Sequence, residues 1–214
     1  ETWHKVMIQK LYDKYICPHL IDFIMSRTPF PKQRKKIIPN AEGRVLEIGI
    51  GSGLNLELYD QNKVSDIFSV DPDNVLIDKA RKRANLNNIS LHIESLSAEE
   101  LPFESNSFDT VVSTYTLCSI NNVDQALAEV NRVMKEGSKF IFSEHGKSPD
   151  ENVFKWQKRL NPIWSRIAGG CHLDKDIPLI ISNSNFNIPE IQSTYVPGPR
   201  FGSYHYWGYA VANK

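Results

Sequence analysis

No apolar run in this chain of 214 residues approaches the ~18–20 residues that a membrane-crossing helix needs, and no charged-then-apolar leader opens it. Both absences point to a cytoplasmic protein. The chain begins at Glu1 rather than methionine, so removal of a segment ahead of it is an expectation. Cysteine is scarce: Cys17, Cys118 and Cys171 are odd in number, scattered and without C-x-x-C spacing, which indicates neither a disulfide framework nor a metal site. Cys171-His172 puts two ligand types side by side but offers no further spaced partner, and it reads as a turn before a helix from Asp174. Excess charge of either sign is also missing. The 25 basic and 25 acidic residues cancel, which argues against the broad cationic face that nucleic acid requires and leaves a small molecule as the expected partner.

What is present is an ordinary globular composition, 41% hydrophobic and 23% charged, enough for one α/β domain with a full core. The organising stretch is Arg44-Val45-Leu46-Glu47-Ile48-Gly49-Ile50-Gly51-Ser52-Gly53, a short β-branched run that breaks into alternating glycines ahead of a helix-like Leu54–Tyr59. Alternating glycines let the backbone take positive φ and lie directly against a ligand. The dinucleotide fingerprint G-x-G-x-x-G would need its third glycine at Leu54, whereas Gly53 comes one residue early. Glu47 inside the strand would repel a pyrophosphate but suits a cationic ligand.

Asp66–Asp71 reads as a second strand ending in an acid, 18 residues beyond Gly53. An acid there accepts hydrogen bonds from a ribose, which supports an adenosine cofactor of either the nicotinamide or the sulfonium kind; Asp71 also suits an N-cap for a helix beginning near Pro72. Further strands are expected over Ile89–Ile93, Phe108–Ser113 and Lys139–Glu144, with a helix over Val123–Met134 stopped at Glu136-Gly137. Five strands alternating with helical segments predict a doubly wound parallel sheet. Ahead of them, Ile8, Leu11, Tyr12, Tyr15, Ile16, Leu20, Phe23 and Ile24 recur at helical spacing. That stripe is expected to pack on the domain or cover the cofactor cleft, with peripheral membrane contact as the lesser alternative; Lys32–Lys36 reads as a solvated basic face.

The segment Leu46-Glu47-Ile48-Gly49-x-Gly51-x-Gly53 resembles the first motif of the class I S-adenosylmethionine-dependent methyltransferases, of the type 11 or UbiE-like kind. The resemblance continues at Ser97-Ala98-Glu99-Glu100-Leu101-Pro102-Phe103, with Ser97 standing where relatives commonly carry Asp. In the last third, Trp156-Gln157, Leu160-Asn161-Pro162-x-Trp164, Gly169-Gly170-Cys171-His172-Leu173 and Tyr204–Ala210 resemble a narrower branch, the methyltransferase-like thiol S-methyltransferases. The animal members of that branch carry an amino-terminal hydrophobic anchor, of which this chain shows none.

The resemblance implies a Rossmann-like, doubly wound, seven-stranded sheet with helices on both faces. It is mostly parallel and closes with an antiparallel last strand through Phe186–Val196 and Tyr204–Val211. It implies one domain over 1–214, with a helical lead-in at 1–40 covering the cleft, a cofactor-binding core at 44–145, and substrate-side helices and closing strands at 146–214. It also implies S-adenosylmethionine as cofactor, with S-adenosylhomocysteine as product, held by Glu47, Gly49, Gly51, Gly53, Asn55, Asp71, Pro72, Ser97, Ala98, Ser113 and Thr114. A thiol acceptor must lose its proton, for which His145 and the less well placed His172 are the candidate bases. Tyr12, Tyr15, Tyr115 and Trp164 are candidates for an aromatic acceptor pocket. Two other readings stay open: a nicotinamide oxidoreductase, and a cofactor-binding protein without turnover.

Overall fold

The computed structural model describes residues 2–214. Three helices, α1 (Thr2–Tyr15), α2 (Cys17–Met25) and α3 (Phe30–Ile37), precede the sheet. Pro18 sits in the first turn of α2, where its missing N–H costs nothing. Then follow β1 (Gly43–Ile48), β2 (Val64–Val70), α4 (Asn74–Leu86), β3 (Leu91–Glu94), β4 (Phe108–Thr114), α5 (Val123–Val133) and β5 (Met134–His145). The chain finishes with α6 (Glu151–Ile167), α7 (Ile177–Asn183), β6 (Phe186–Tyr195) and β7 (Tyr204–Ala212).

The seven strands form one sheet in the order β3-β2-β1-β4-β5-β7-β6, parallel throughout except that β7 runs antiparallel to β5 and β6. The strand order reverses between β1 and β4, and a ligand crevice opens outside the carboxyl ends of strands at such a point. Two apolar layers fill the faces: Leu46, Ile48, Val111, Phe140 and Phe142 pack toward α5 and α7, while Val45, Ile67, Val112 and Ile141 pack with Ala80 and Ala84 of α4. Among the described residues no helix is long and apolar enough to cross a membrane.

Four local expectations are corrected. Leu54–Tyr59 forms only a 3-10 turn at Leu56–Leu58, because Asn55 and Tyr59 turn their side chains inward onto Glu47 and the chain bends at Asp60 toward β2. The break expected at Glu136-Gly137 is a bulge inside β5, with Gly137 at φ +73°, and α5 passes into the strand with no loop between. The N-cap of α4 is Asp73, which accepts from the amides of Val75 and Leu76, so Asp71 is free of that duty. Finally, the apolar stripe of α1 and α2 faces outward: Ile8, Leu11, Tyr15, Ile16, Leu20, Phe23 and Ile24 are exposed. The opposite face, through Gln9, Asp13, Cys17, Ile21 and Met25 at four-residue spacing, covers the crevice instead.

Candidate active site

β1 delivers the glycine turn to the crevice. Gly49 and Gly51 hold φ of +68° and +56°, and a Cβ on Gly49 would collide with the Thr116 side chain. Gly51 meets open space and lines a cavity of about 790 Å³; its amide donates to Asp71 Oδ2 at 2.8 Å. Gly53 does something else, since a Cβ there would press on Ala80 of α4; it lets the turn pack on that helix and lies off the cavity lining.

Asp71 closes β2 with its other oxygen accepting from the Asp73 amide at 2.8 Å. Burial pushes its carboxyl up, and the two amides pull it back, leaving lone pairs on both oxygens beside the cavity. Pro72, Ser97, Ala98 and Thr114 line the same space. Ser97 donates to Glu99 Oε2 at 2.5 Å, and this bond together with the Asn122 amide holds Glu99 below the usual carboxylate range. Glu99, also on the lining, thus supplies a carboxylate two residues after the position where Ser97 lacks one.

Beneath the cavity lies a buried polar chain. Asn55 Nδ2 donates to Glu47 Oε1 at 2.8 Å and to Thr114 Oγ1 at 2.9 Å, and the Tyr59 hydroxyl donates to Glu47 Oε2 at 2.7 Å. Burial pushes Glu47 up to about 7. Glu47 therefore spends both oxygens inside the protein and stands behind the lining, whereas Asn55 lines the cavity with its Oδ1 buried and without a protein partner. Ser113 is likewise set back, donating to Glu144 Oε1 at 2.8 Å. Glu144 Oε1 also accepts from the amides of Thr116 and Leu117, shaping the turn after β4.

Of the four aromatic candidates, Tyr115 lines the cavity. It adopts φ +57°, and its hydroxyl lies 3.1 Å from His205 Nδ1; burial holds His205 down to about 3 and so neutral. The Arg34 guanidinium lies 5.0 Å from the Tyr115 ring centre. Arg34 belongs to the stretch expected to be a wet basic face, yet it is buried and lines the cavity, since one turn of α3 puts it and Gln33 inward while Lys32 and Lys35 stay out. Tyr12 instead ties α1 to the end of α6, donating to the Ile167 carbonyl at 2.7 Å. Tyr15 is exposed, and Trp164 donates its indole N–H to Cys171 Sγ at 3.3 Å, away from the lining.

Neither candidate base lines the cavity. His145 is buried with Nε2 2.9 Å from Cys171 Sγ, and His172 Nδ1 is 2.9 Å from the side-chain amide of Asn161. Further lining residues to which the sequence assigned no role include Asp13, Asp22, Thr116, Ser119, Ile120 and Asn121. Only the outward stripe of α1 and α2 hinted at its complement. The loop after α6 is marked in the sequence only by the Gly169–Leu173 resemblance, and nothing local says that it meets the turn after β4 at the cavity.

A family model described as a methyltransferase domain matches residues 46–142. The chain is 31% identical over 163 residues to thiol S-methyltransferase TMT1B of Rattus norvegicus, covering 74% of this chain and 65% of that one. It is 30% identical over 180 residues to thiol S-methyltransferase TMT1A of Homo sapiens, covering 81% and 72%. It therefore spans about two thirds of the length of these relatives. The crystal structure of YcgJ protein from Bacillus subtilis superposes with a TM-score of 0.64 at 18% identity, over 84% of this chain and 95% of that one, and so shares the fold.

Proposed function

The chain belongs to the S-adenosylmethionine-dependent methyltransferase family, and from that premise we propose that it transfers a methyl group to the sulfur of a small-molecule thiol. One observation carries the reading: the same cavity is lined by Gly49, Gly51 and Asp71 and by Thr114–Thr116 and Ser119–Asn121. A cofactor and an acceptor thus have one space in which to meet, and holding two reactants in line removes ~7–11 kcal/mol of barrier. The thiol specifically is supported by what the two similar relatives are named for.

S-adenosylmethionine, when bound, supplies a methyl group activated by a sulfonium. The lining fits its parts. The unpartnered Asn55 Oδ1 suits the ammonium, the remaining lone pairs of Asp71 suit the ribose hydroxyls, and Glu99 with Ser97 and Ala98 suits the adenine end. Gly49, Gly51 and Pro72 bring backbone close, and Thr114 is fixed by Asn55. Glu47 and Ser113 act from behind, by holding Asn55 and the turn after β4, and Gly53 by letting the glycine turn after β1 pack on α4. We read residues 1–40 as a roof, 44–145 as the cofactor core and 146–214 as the acceptor side of one domain.

The positions of His145 and His172 off the lining favour an acceptor that ionises in solvent over one deprotonated by either ring. The rate then follows the fraction of thiolate. Incubation with labelled S-adenosylmethionine and a panel of thiols, amines, phenols and lipid head groups tests the reading. Label is expected in thioethers, and the alkaline rise in rate is expected to shift with the pKa of each thiol. A limb that stays fixed as the acceptor changes would instead mark a base on the protein, and label on nitrogen or oxygen alone would overturn the thiol assignment.

Charge balance favours a small acceptor over nucleic acid. The exposed stripe of α1 and α2, with Lys10 and Lys14 beside it, favours peripheral contact with an anionic lipid surface as a second property of the same protein.

A further inference from the structure

Three segments far apart in sequence converge beside the cavity: the turn after β4 brings Cys118, the end of β5 brings His145, and the loop between α6 and α7 brings Cys171. All three side chains are buried, and their sulfur and nitrogen atoms lie within 4.8 Å of one another. We propose that Cys118, His145 and Cys171 bind a zinc ion. Nothing in the methyl-transfer reading uses this cluster, and the proposal holds whatever the acceptor is.

The donor set is the first argument. Two thiolates and an imidazole are the ligands of borderline-soft, tetrahedral zinc. Two thiolates also cancel a divalent charge, so the loaded site is neutral, which a buried position demands. Geometry is the second. Zinc bonds of ~2.3 Å to sulfur and ~2.0 Å to nitrogen put tetrahedral ligands about 3.5–3.8 Å apart. The separations here run from 2.9 Å, for His145 Nε2 and Cys171 Sγ, up to 4.8 Å, so an ion is accommodated by small side-chain adjustments.

The surroundings are the third argument. Trp164 Nε1–H donates to Cys171 Sγ at 3.3 Å, the outer-shell contact that orients a metal-binding thiolate. The amide of His172 donates to the Cys118 carbonyl at 3.0 Å, clamping the two cysteine loops together without the metal. Lys175 Nζ donates to the carbonyls of Leu117 and Ile120, fixing the turn that carries Cys118. Three protein ligands leave the fourth corner to water. The ion would cross-link segments whose adjacent residues, Ser119 and Gly170, line the cavity, and so would stiffen that part of its wall.

The test uses the whole chain, reduced and stripped with a chelator, and titrated with cobalt(II). One equivalent is expected to bind with a thiolate-to-cobalt charge-transfer band and the intense visible bands of a tetrahedral ion, both erased by added zinc. Zinc is also expected to raise the melting temperature and to slow alkylation of Cys118 and Cys171 at least 10-fold while sparing Cys17, which lines the cavity outside the cluster. Cys171→Ser and Cys118→Ser should each lose the charge-transfer intensity; should either fail to fold, the wild-type titration with the alkylation pattern still decides. Absence of the thiolate band, equal protection of all three cysteines, or a reduced protein that takes up no zinc overturns the proposal.

Discussion

Asn55 anchors Glu47 and Thr114 through Nδ2 and keeps a buried Oδ1 without a protein partner, the atom that the proposed reading gives to the cofactor's ammonium. A hydrogen bond to a charged group contributes ~1.5–3 kcal/mol, so Asn55→Ala should weaken S-adenosylmethionine binding about 10–100-fold by calorimetry. An unchanged affinity would move the ammonium elsewhere. Glu47 behaves differently. Burial raises its folded pKa to about 7, above the ~4.3 of an unfolded chain, so the folded state binds the extra proton between those values. Stability contributed by this group is therefore full below pH ~4.3 and falls as pH rises toward 7, by at most about 1.4 kcal/mol per pH unit. Glu47→Gln, which keeps an acceptor for Asn55, should flatten that slope in urea denaturation between pH 5 and 7; an equal slope in the variant would refute the assignment. The sequence showed an acid in a strand but not that both its oxygens are spent on Asn55 and Tyr59, because those contacts follow from how the chain turns after Gly53. Glu99 was hidden for a related reason: Ser97 drew attention as a missing acid, while the replacement carboxylate stands two residues on.

At the scale of elements, the glycine turn separates two duties that its spacing presents as one. Both Gly51 and Gly53 hold positive φ, which costs a side chain ~1–2 kcal/mol, but only Gly53 also meets a neighbouring helix. Gly51→Ala should therefore lose more in cofactor affinity than in stability, since its Cβ points into open cavity. Gly53→Ala should lose at least ~2 kcal/mol of stability, several degrees of melting temperature, with a smaller change in affinity of the folded protein. Calorimetry and thermal unfolding on both variants check the split; the reverse pattern would assign the turn differently. The strands were legible here because the apolar runs ending at Gly49, Asp71 and Thr114 alternate with helical segments, the pattern of a parallel sheet buried on both faces. The helix orientations were less so. Periodicity marked the apolar stripe of α1 and α2 without saying which way it faces, and the cavity is roofed by the more polar side through Gln9 and Asp13. His145 fell at a strand end, where ligands sit, yet the next layer of chain, α6 and its following loop, covers it with Cys171.

For the whole molecule, the outward stripe is the feature that the fold leaves unexplained. Ile8, Leu11, Ile16 and Phe23 are each more than half exposed, and such a contiguous apolar face on a folded chain marks a contact surface. Its neighbours favour one kind of contact over others. Lys10 and Lys14 flank it, Lys32 and Lys35 lie on the exposed side of α3, and Asp13 turns away into the cavity lining, so the face offers apolar side chains with basic edges. That combination suits an anionic bilayer surface, where apolar burial and ~1 kcal/mol per basic residue add together. Gln9, Asp13, Cys17, Ile21 and Met25 of the same helices line the cavity, so a bilayer against the outer face would lie on the other side of its roof. Sedimentation with vesicles should therefore show binding that grows with the anionic lipid fraction and weakens with salt. Leu20→Asp with Phe23→Asp should cut binding at least 10-fold while leaving S-adenosylmethionine affinity intact, because both side chains point away from the cavity. Equal binding by the double variant, or a stable dimer in solution that the same substitutions dissolve, would assign the face to protein rather than lipid.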